Sequence, residues 1–372
     1  MKERTRGLAA LGVALILLGY GLQRLLALAP GLVEQRYSRG IFPLIARTLG
    51  SVARLVPFSL AEVLVGLAAI LLVRWLILAG VRLYRQPHGR RLAVIWGHAA
   101  APLATLLILL GSIYLAFMLL WGLNYDRRPL AGSIGLQVRP ASVSELAALC
   151  RDLIDQSNAL RQQVREGPDG VMRLDGGVKA ALQRASLGYD RAAERYPVLA
   201  GRYSPPKPVL ISPLWAYTGI TGVYFPFTGE ANVNIAVPES SIPATATHEM
   251  AHQRGFARED EANYIAYLVG SRHPDADFRY SSSLLAMESA MAALRGADPK
   301  QYAELVSRHS AGVRRDLAAE DAFWQAHAGP VERASNRIND QYLKANLQAE
   351  GVGSYGRMVD LLLAEYRARR NP

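Results

Sequence analysis

The sequence predicts a mainly helical membrane protein, with three N-terminal transmembrane helices ahead of an α+β domain that carries a small edge-strand sheet. Three observations predict it. Long apolar stretches are confined to the first third of the chain, and basic residues flank them. Beyond them, helical periodicity gives way once to a strand-like patch and then resumes.

Charge separates the two regions. Residues 1–123 hold 13 Lys and Arg against three acids, whereas residues 124–372 hold 29 against 28. The pI of about 9.8 therefore belongs to the apolar region. There, positive charge sets membrane orientation or meets anionic lipid. The near-neutral remainder has no basic stripe, which argues against nucleic acid as a partner.

Three spans are expected, near residues 7–29, 60–83 and 96–121. The second and third have the roughly 20 apolar residues that a bilayer requires. The first could be read as a signal peptide, because Ala27-Leu28-Ala29 has a small-x-small pattern. Pro30 directly after that pattern and Gln23-Arg24 before it favour an uncleaved helix. Lys2, Arg4 and Arg6 crowd the N-terminal tail, and Arg82, Arg85, Arg90 and Arg91 crowd the turn between the second and third spans. With both on the cytoplasmic side, residues 124–372 lie outside the cytoplasm. Arg36, Arg39, Arg47 and Arg54 of the first loop would then also lie outside, in an amphipathic segment suited to resting on the membrane surface.

The domain at 124–372 begins its helices at Ser142, where Ser142-Val-Ser-Glu145 fits a capping box. Cys150, the single cysteine, sits in the apolar phase of that helix and is expected to be an inert core residue. A second helical pattern covers 178–196. Residues 208–211 and 222–237 are rich in Val, Ile, Tyr and Phe and read as short strands. Pro226 marks an edge strand, and Asn232 and Asn234 alternate with Val233, Ile235 and Val237. From Ser241 onward the pattern is helical.

The chemistry is concentrated in His248-Glu249-Met250-Ala251-His252. On a helix, residues four apart share a face, so both imidazoles can reach one ion. Glu249, on the adjacent face, can take a proton from water polarised by that ion. A catalytic zinc site usually takes a third protein ligand. Gly255 is in register with the metzincin pattern HExxHxxGxxH, but the third-histidine position is Arg258, which cannot ligate. Glu259, Asp260 and Glu261 remain. If a helix starts near Arg258, Glu259 shares a face with Ala262, Asn263, Ala266 and Gly270, small residues that permit close packing on the motif helix. Glu261 then points about 200° away, at about 100° per residue. Glu259 is the expected ligand and Glu261 the alternative, with Asn263 expected to hold a ligand histidine.

His248–His252 followed by Glu259-Asp-Glu-Ala-Asn263 resembles the arrangement of the gluzincins. That resemblance implies a zincin-like domain binding one Zn²⁺ per chain through His248, His252 and Glu259, with Glu249 as general base. It also implies a peptide or peptide-like substrate laid along the preceding strand, where Tyr224, Asn232 and Asn234 would contact it. The whole chain also resembles an uncharacterised family of bacterial membrane proteins. The shared features are the three spans, the Phe225–Asn234 run, the histidine motif and the Ser354-Tyr-Gly356 stretch. That likeness implies the bacterial inner membrane.

The sequence thus predicts a membrane-anchored zinc metallopeptidase acting outside the cytoplasm. Its alternative is an inactive membrane scaffold with a structural metal site. An intramembrane protease is disfavoured, because residues 243–258 are too polar to span. Oxyanion stabilisers could be His309, His327, Tyr342, Tyr355 or Tyr224, which sequence alone does not rank.

Overall fold

The computed structural model describes residues 2–85, 100–346 and 348–370. The chain divides into two units, Met1–Phe42 with Leu60–Arg127, and Pro43–Ser59 with Arg128–Pro372. The expected boundary after residue 123 falls close to the second junction. Residues 43–59, assigned by hydropathy to the membrane region, belong instead to the second unit. The helices, in chain order, are α1 Lys2–Ala27, α2 Phe42–Ala53, α3 Leu60–Tyr84, α4 Ala100–Leu120, α5 Val143–Arg161, α6 Gly177–Arg184, α7 Ser186–Arg195, α8 Ile242–Gln253, α9 Glu259–Gly270, α10 Ala276–Ala297, α11 Pro299–Val306, α12 Ala311–His327, α13 Pro330–Ala345 and α14 Met358–Arg370. The strands are β1 Arg165–Glu166, β2 Met172–Arg173, β3 Lys207–Val209, β4 Gly222–Phe225 and β5 Glu230–Asn234.

In the first unit three helical stretches are long and apolar enough to cross a membrane: Arg4–Ala27, Leu60–Val81 and Ala100–Leu120. Residues 96–99 of the third predicted span, most of the basic turn at 82–91, and His88 and His98 lie outside the described residues. Small residues let α1 and α4 cross closely. A Cβ at Gly12 would meet the Leu107 carbonyl carbon at 2.6 Å, and one at Gly111 would meet the Gly12 oxygen at 2.5 Å. At the end of α4, Arg127 donates two bonds, each 2.9 Å, to the buried Glu34 carboxylate. Burial alone would raise the Glu34 pKa, but Arg127 and Arg39 outweigh it and hold the group below its usual range.

The second unit is an α+β domain. Helix α5 starts as expected, with Glu145 N–H donating to Ser142 Oγ and Ser142 N–H donating to the Glu145 carboxylate. Its Leu149, Leu153 and Ile154 are fully buried with Met250 of α8, Ile265 and Leu268 of α9, and Met287 of α10. Burying such side chains is the main source of stability. Cys150 is buried here too, and burial pushes its thiol up to about 12.

The sheet that faces the motif helix has the order β3-β5-β4, parallel on the β3 side and antiparallel on the β4 side. The predicted strand at 222–237 is thus two strands. Pro226 lies in the connecting turn, where Gly229, at φ +67°, donates to the Phe225 carbonyl. β3 and β4 are the edges and β5 the centre, and all five residues of β5 are buried. The alternation in β5 is real, but its polar face is covered. Lys207 pairs with Glu230 at 2.8 Å and donates to the Ala53 and Phe58 carbonyls, which fastens residues 43–59 to the sheet. A Cβ at Gly229 would lie 2.9 Å from the Ala46 oxygen and the Gly50 nitrogen. The loop read as a surface-resting segment is therefore in part a structural piece of this domain.

Candidate metal centre

Helix α8 begins with Pro243 in its first turn, where a missing N–H costs nothing, and every residue from Ile242 to Gln253 is buried. It stops because the chain reverses at Gly255, whose φ of +83° is the left-handed conformation that favours glycine. The reversal aims the Phe256 carbonyl back at the motif, 2.7 Å from His252 Nδ1. A donor proton on Nδ1 leaves Nε2 as the ligating nitrogen. Helix α9 then starts at Glu259 with Arg258 as its N-cap residue, the start that the choice of Glu259 required. The Glu259 N–H is taken up by Gln348 Oε1 at 3.1 Å.

These turns bring three ligand atoms together. Nε2 of His252 lies 3.0 Å from Nε2 of His248. Oε2 of Glu259 lies 3.2 Å from the His248 nitrogen and 3.4 Å from the His252 nitrogen. Atoms bound to one tetrahedral ion at about 2.0–2.1 Å are about 3.3–3.4 Å apart. The triangle closes near those edges, so the residues present fit a single ion. All three residues are buried.

Electrostatics favour a cation here. Burial would raise the Glu259 carboxyl, but the charge of His252 and contact with both imidazoles bring it down to about 2. Burial would lower His252, but the Glu259 carboxylate beside it raises it to about 9. A buried carboxylate held ionised between two imidazoles is an arrangement that suits a cation. Glu249 behaves differently. Burial pushes its carboxyl above the usual range and the Glu259 charge adds to this, outweighing the two histidines and the Tyr224 backbone N–H that it accepts. Oε2 of Glu249 and Nδ1 of His248 are buried without a hydrogen-bond partner among the described residues.

Strand β4 lies directly against Glu249. A Cβ at Gly222 would fall 2.5 Å from Oε1 of Glu249, so any larger residue would displace that carboxylate. A glycine within a strand often marks such an approach. Gly222 carries that signal in the sequence, inside the strand-like run at 222–237.

Several expected roles are redistributed. Glu261 is buried and accepts the Leu130 N–H at 2.7 Å, away from the ligand atoms. Asn263 reaches the Tyr355 carbonyl at 3.3 Å rather than a ligand histidine. Gly270, expected against the motif helix, packs on Ser282 of α10. Asn232 and Asn234 do not face the free edge of the sheet. Their amides bind the Val223 and Ile220 carbonyls at 3.3 and 3.1 Å and so hold β4 to β5. Tyr224 is buried in β4.

Of the oxyanion candidates, Tyr355 is buried where it feels the charges of Glu259 and Glu249. Its phenol is pushed well above the usual range by burial first, then by the Glu259 and Glu249 carboxylates, so it remains a donor. Asn339 Nδ2 lies 3.4 Å from its oxygen. His327 instead hydrogen-bonds the Phe323 carbonyl at 2.7 Å and packs on Tyr217. Gln348 and Phe256, which orient the ligands, carry no signal in sequence, since backbone reversal and long-range packing place them.

No curated protein and no solved structure matches the chain. One family model does, described as a protein of unknown function (DUF3810), and it spans residues 37–363. That match runs through the second and third spans, the sheet, the histidine motif and Tyr355, and by it the chain belongs to the DUF3810 family.

Proposed function

We propose that this protein is a membrane-anchored, zinc-dependent hydrolase of the metallopeptidase type, acting outside the cytoplasm on a peptide or peptide-like substrate. The triangle formed by His248, His252 and Glu259, with the buried Glu249 beside it, carries the reading. Two imidazoles and one carboxylate suit zinc and leave a coordination position open. When bound, the ion would supply Lewis acidity toward a carbonyl and a water molecule.

The chain's own groups would do the rest. Glu249, with its raised pKa, takes a proton from the attacking water and passes it to the leaving amine. Tyr355 donates its O–H to the oxygen that gains charge. The outer edge of β4, where the Tyr224 N–H already holds Glu249, lies where an extended peptide would pass that carboxylate. A motif helix lying under an edge strand, with the third ligand on the next helix, supports a zincin-like domain of gluzincin type. The competing reading, a scaffold with a structural metal, leaves Glu249 without a task. The basic N-terminal tail at Lys2, Arg4 and Arg6 supports an extracytoplasmic domain.

Elemental analysis of the full chain, purified in detergent and dialysed, tests the reading. About one zinc per chain is expected, and a folded but metal-free preparation sinks it.

A further inference from the structure

We infer that the metal centre works close to the bilayer surface, and that its substrate is a polypeptide anchored in the same membrane and cut in the stretch nearest that surface. The substrate assignment rests on the hydrolase reading above. Two short tethers carry the inference. Two crossing helices in succession put the start of the first, Leu60, and the end of the second, Leu120, on one face of the membrane.

The first tether runs from Leu60. Phe58, two residues before it, accepts from the Lys207 ammonium at 2.8 Å, and the Ala53 carbonyl accepts from it at 2.5 Å. Lys207 of β3 stands opposite Asn232 of β5, which stands opposite Val223 of β4. That row crosses two strand spacings, roughly 10 Å. Val223 is flanked by Gly222, which packs against Glu249, and by Tyr224, whose N–H Glu249 accepts. With the length of the lysine side chain added, Glu249 lies within roughly 25 Å of the Phe58 carbonyl. The second tether runs from Leu120. Leu130, ten residues on, donates its N–H to Glu261 at 2.7 Å. Glu261 is two residues from Glu259 on α9. Gly122–Asp126 within this link is a tight helical turn rising about 2 Å per residue, so the link from Leu120 to Leu130 reaches no more than roughly 30 Å. The proposed base and the third ligand are each moored to the same face by a separate segment.

The surface of residues 43–59 suits contact with lipid. Leu55 is 83% exposed, Leu44 66% and Val52 57%, and Arg47 and Arg54 are exposed among them. Apolar and basic side chains mixed on one amphipathic segment bury the former at the headgroup boundary and bring the latter to anionic lipid. An anchored substrate that is extended crosses the layer beneath Glu249 in about ten residues, at about 3.3 Å each. Anchoring raises the effective concentration of that stretch toward the millimolar range, an advantage that a free peptide lacks.

The test uses the full chain, loaded with zinc, in nanodiscs of phosphatidylcholine and phosphatidylglycerol. For depth, Val223→Cys carries a fluorescent donor and the lipid headgroups carry the acceptor. Cys150 is buried, with its thiol pushed up to about 12, and takes no label. The donor should lie within about 40 Å of the headgroup plane, and a greater height overturns the placement. For the substrate, unstructured polypeptides of unrelated sequence, coupled at either end to phosphatidylethanolamine, are compared with the same chains left free, and mass spectrometry reads the cut positions. Anchored chains should be cut about 100-fold faster than free ones, within about ten residues of the anchor whatever the sequence. Cuts spread along the anchored chains, or equal rates with and without the anchor, overturn the inference and leave the hydrolase reading standing. If no form is cut, the hydrolase reading falls and takes the substrate with it, while the depth measurement still decides the placement.

Discussion

On the hydrolase reading, Gly222→Ala is the most informative single change, because it perturbs Glu249 without touching His248, His252 or Glu259. The new methyl carbon would lie 2.5 Å from Oε1 of Glu249, 2.7 Å from its Cγ and 2.9 Å from its Cδ. Ordinary carbon–oxygen contact needs roughly 3.4 Å or more, so the carboxylate must retreat by about 1 Å, a misplacement that can cost about 100-fold in rate. By transition-state arithmetic that is about 2.7 kcal/mol. His248, His252 and Glu259 keep their positions, so zinc stoichiometry should not change. The assay pairs zinc content with cleavage of quenched-fluorescent peptides, measured on the wild type, Gly222→Ala and Glu249→Gln. The expected order is full activity, about one hundredth, and none above background. A Gly222→Ala protein that cleaves like the wild type would falsify the placement of Glu249 as proton acceptor. One that loses its zinc would show that β4 supports the ligands rather than the base.

The carboxylates should separate by role in a chelator competition. Glu249→Gln keeps zinc, Glu259→Gln loses affinity for it, and Glu261→Ala keeps zinc but loses about 1–3 kcal/mol of stability, because the Leu130 N–H is left without its acceptor. In the same series Tyr355→Phe keeps zinc and lowers turnover by about 100-fold or more; normal turnover would remove Tyr355 from the chemistry. Glu145, held at about 2 first by its hydrogen bond to Arg367 and next by the Ser142 N–H, has a depressed pKa. Its contribution to stability is therefore full above its ordinary value of 4.5 and lost as pH falls through about 2. Glu145→Gln should flatten the melting-temperature profile across that interval, and an unchanged profile counts against the pairing. A reporter active only outside the cytoplasm, fused after Pro372, should be active, and a signal from a cytoplasm-only reporter would reverse the orientation.

What could be read from the sequence was mostly local. The apolar helices follow from hydropathy summed over one segment, and the capping box at Ser142 from four adjacent residues. The grouping of His248, His252 and Glu259 follows from helical phase on two helices separated by one glycine turn. Contacts between distant segments were not legible. Asn263 was expected at a histidine because both lie in one short run, yet Tyr355, 92 positions away, takes its amide. Asn232 and Asn234 looked like an exposed polar face, because alternation does not announce that their amides turn to the Val223 and Ile220 carbonyls. Phase can say which side of an element is polar. It cannot say what lies opposite.

The fastening of residues 43–59 to the sheet bears on how the second unit is made. Its first segment emerges before the second span and the rest only after the third, so the ribosome delivers the domain in two instalments. Until Lys207 and Gly229 are synthesised, the Ala53 and Phe58 carbonyls have no ammonium to bind, and α2 has no β4–β5 turn to pack against. A fragment cut at residue 124 would thus be a domain missing its first instalment, with the Lys207–Glu230 pair opened to solvent on one side. Completion of the second unit, and with it the His248, His252 and Glu259 cluster, would then have to wait for synthesis of the two apolar helices that interrupt it.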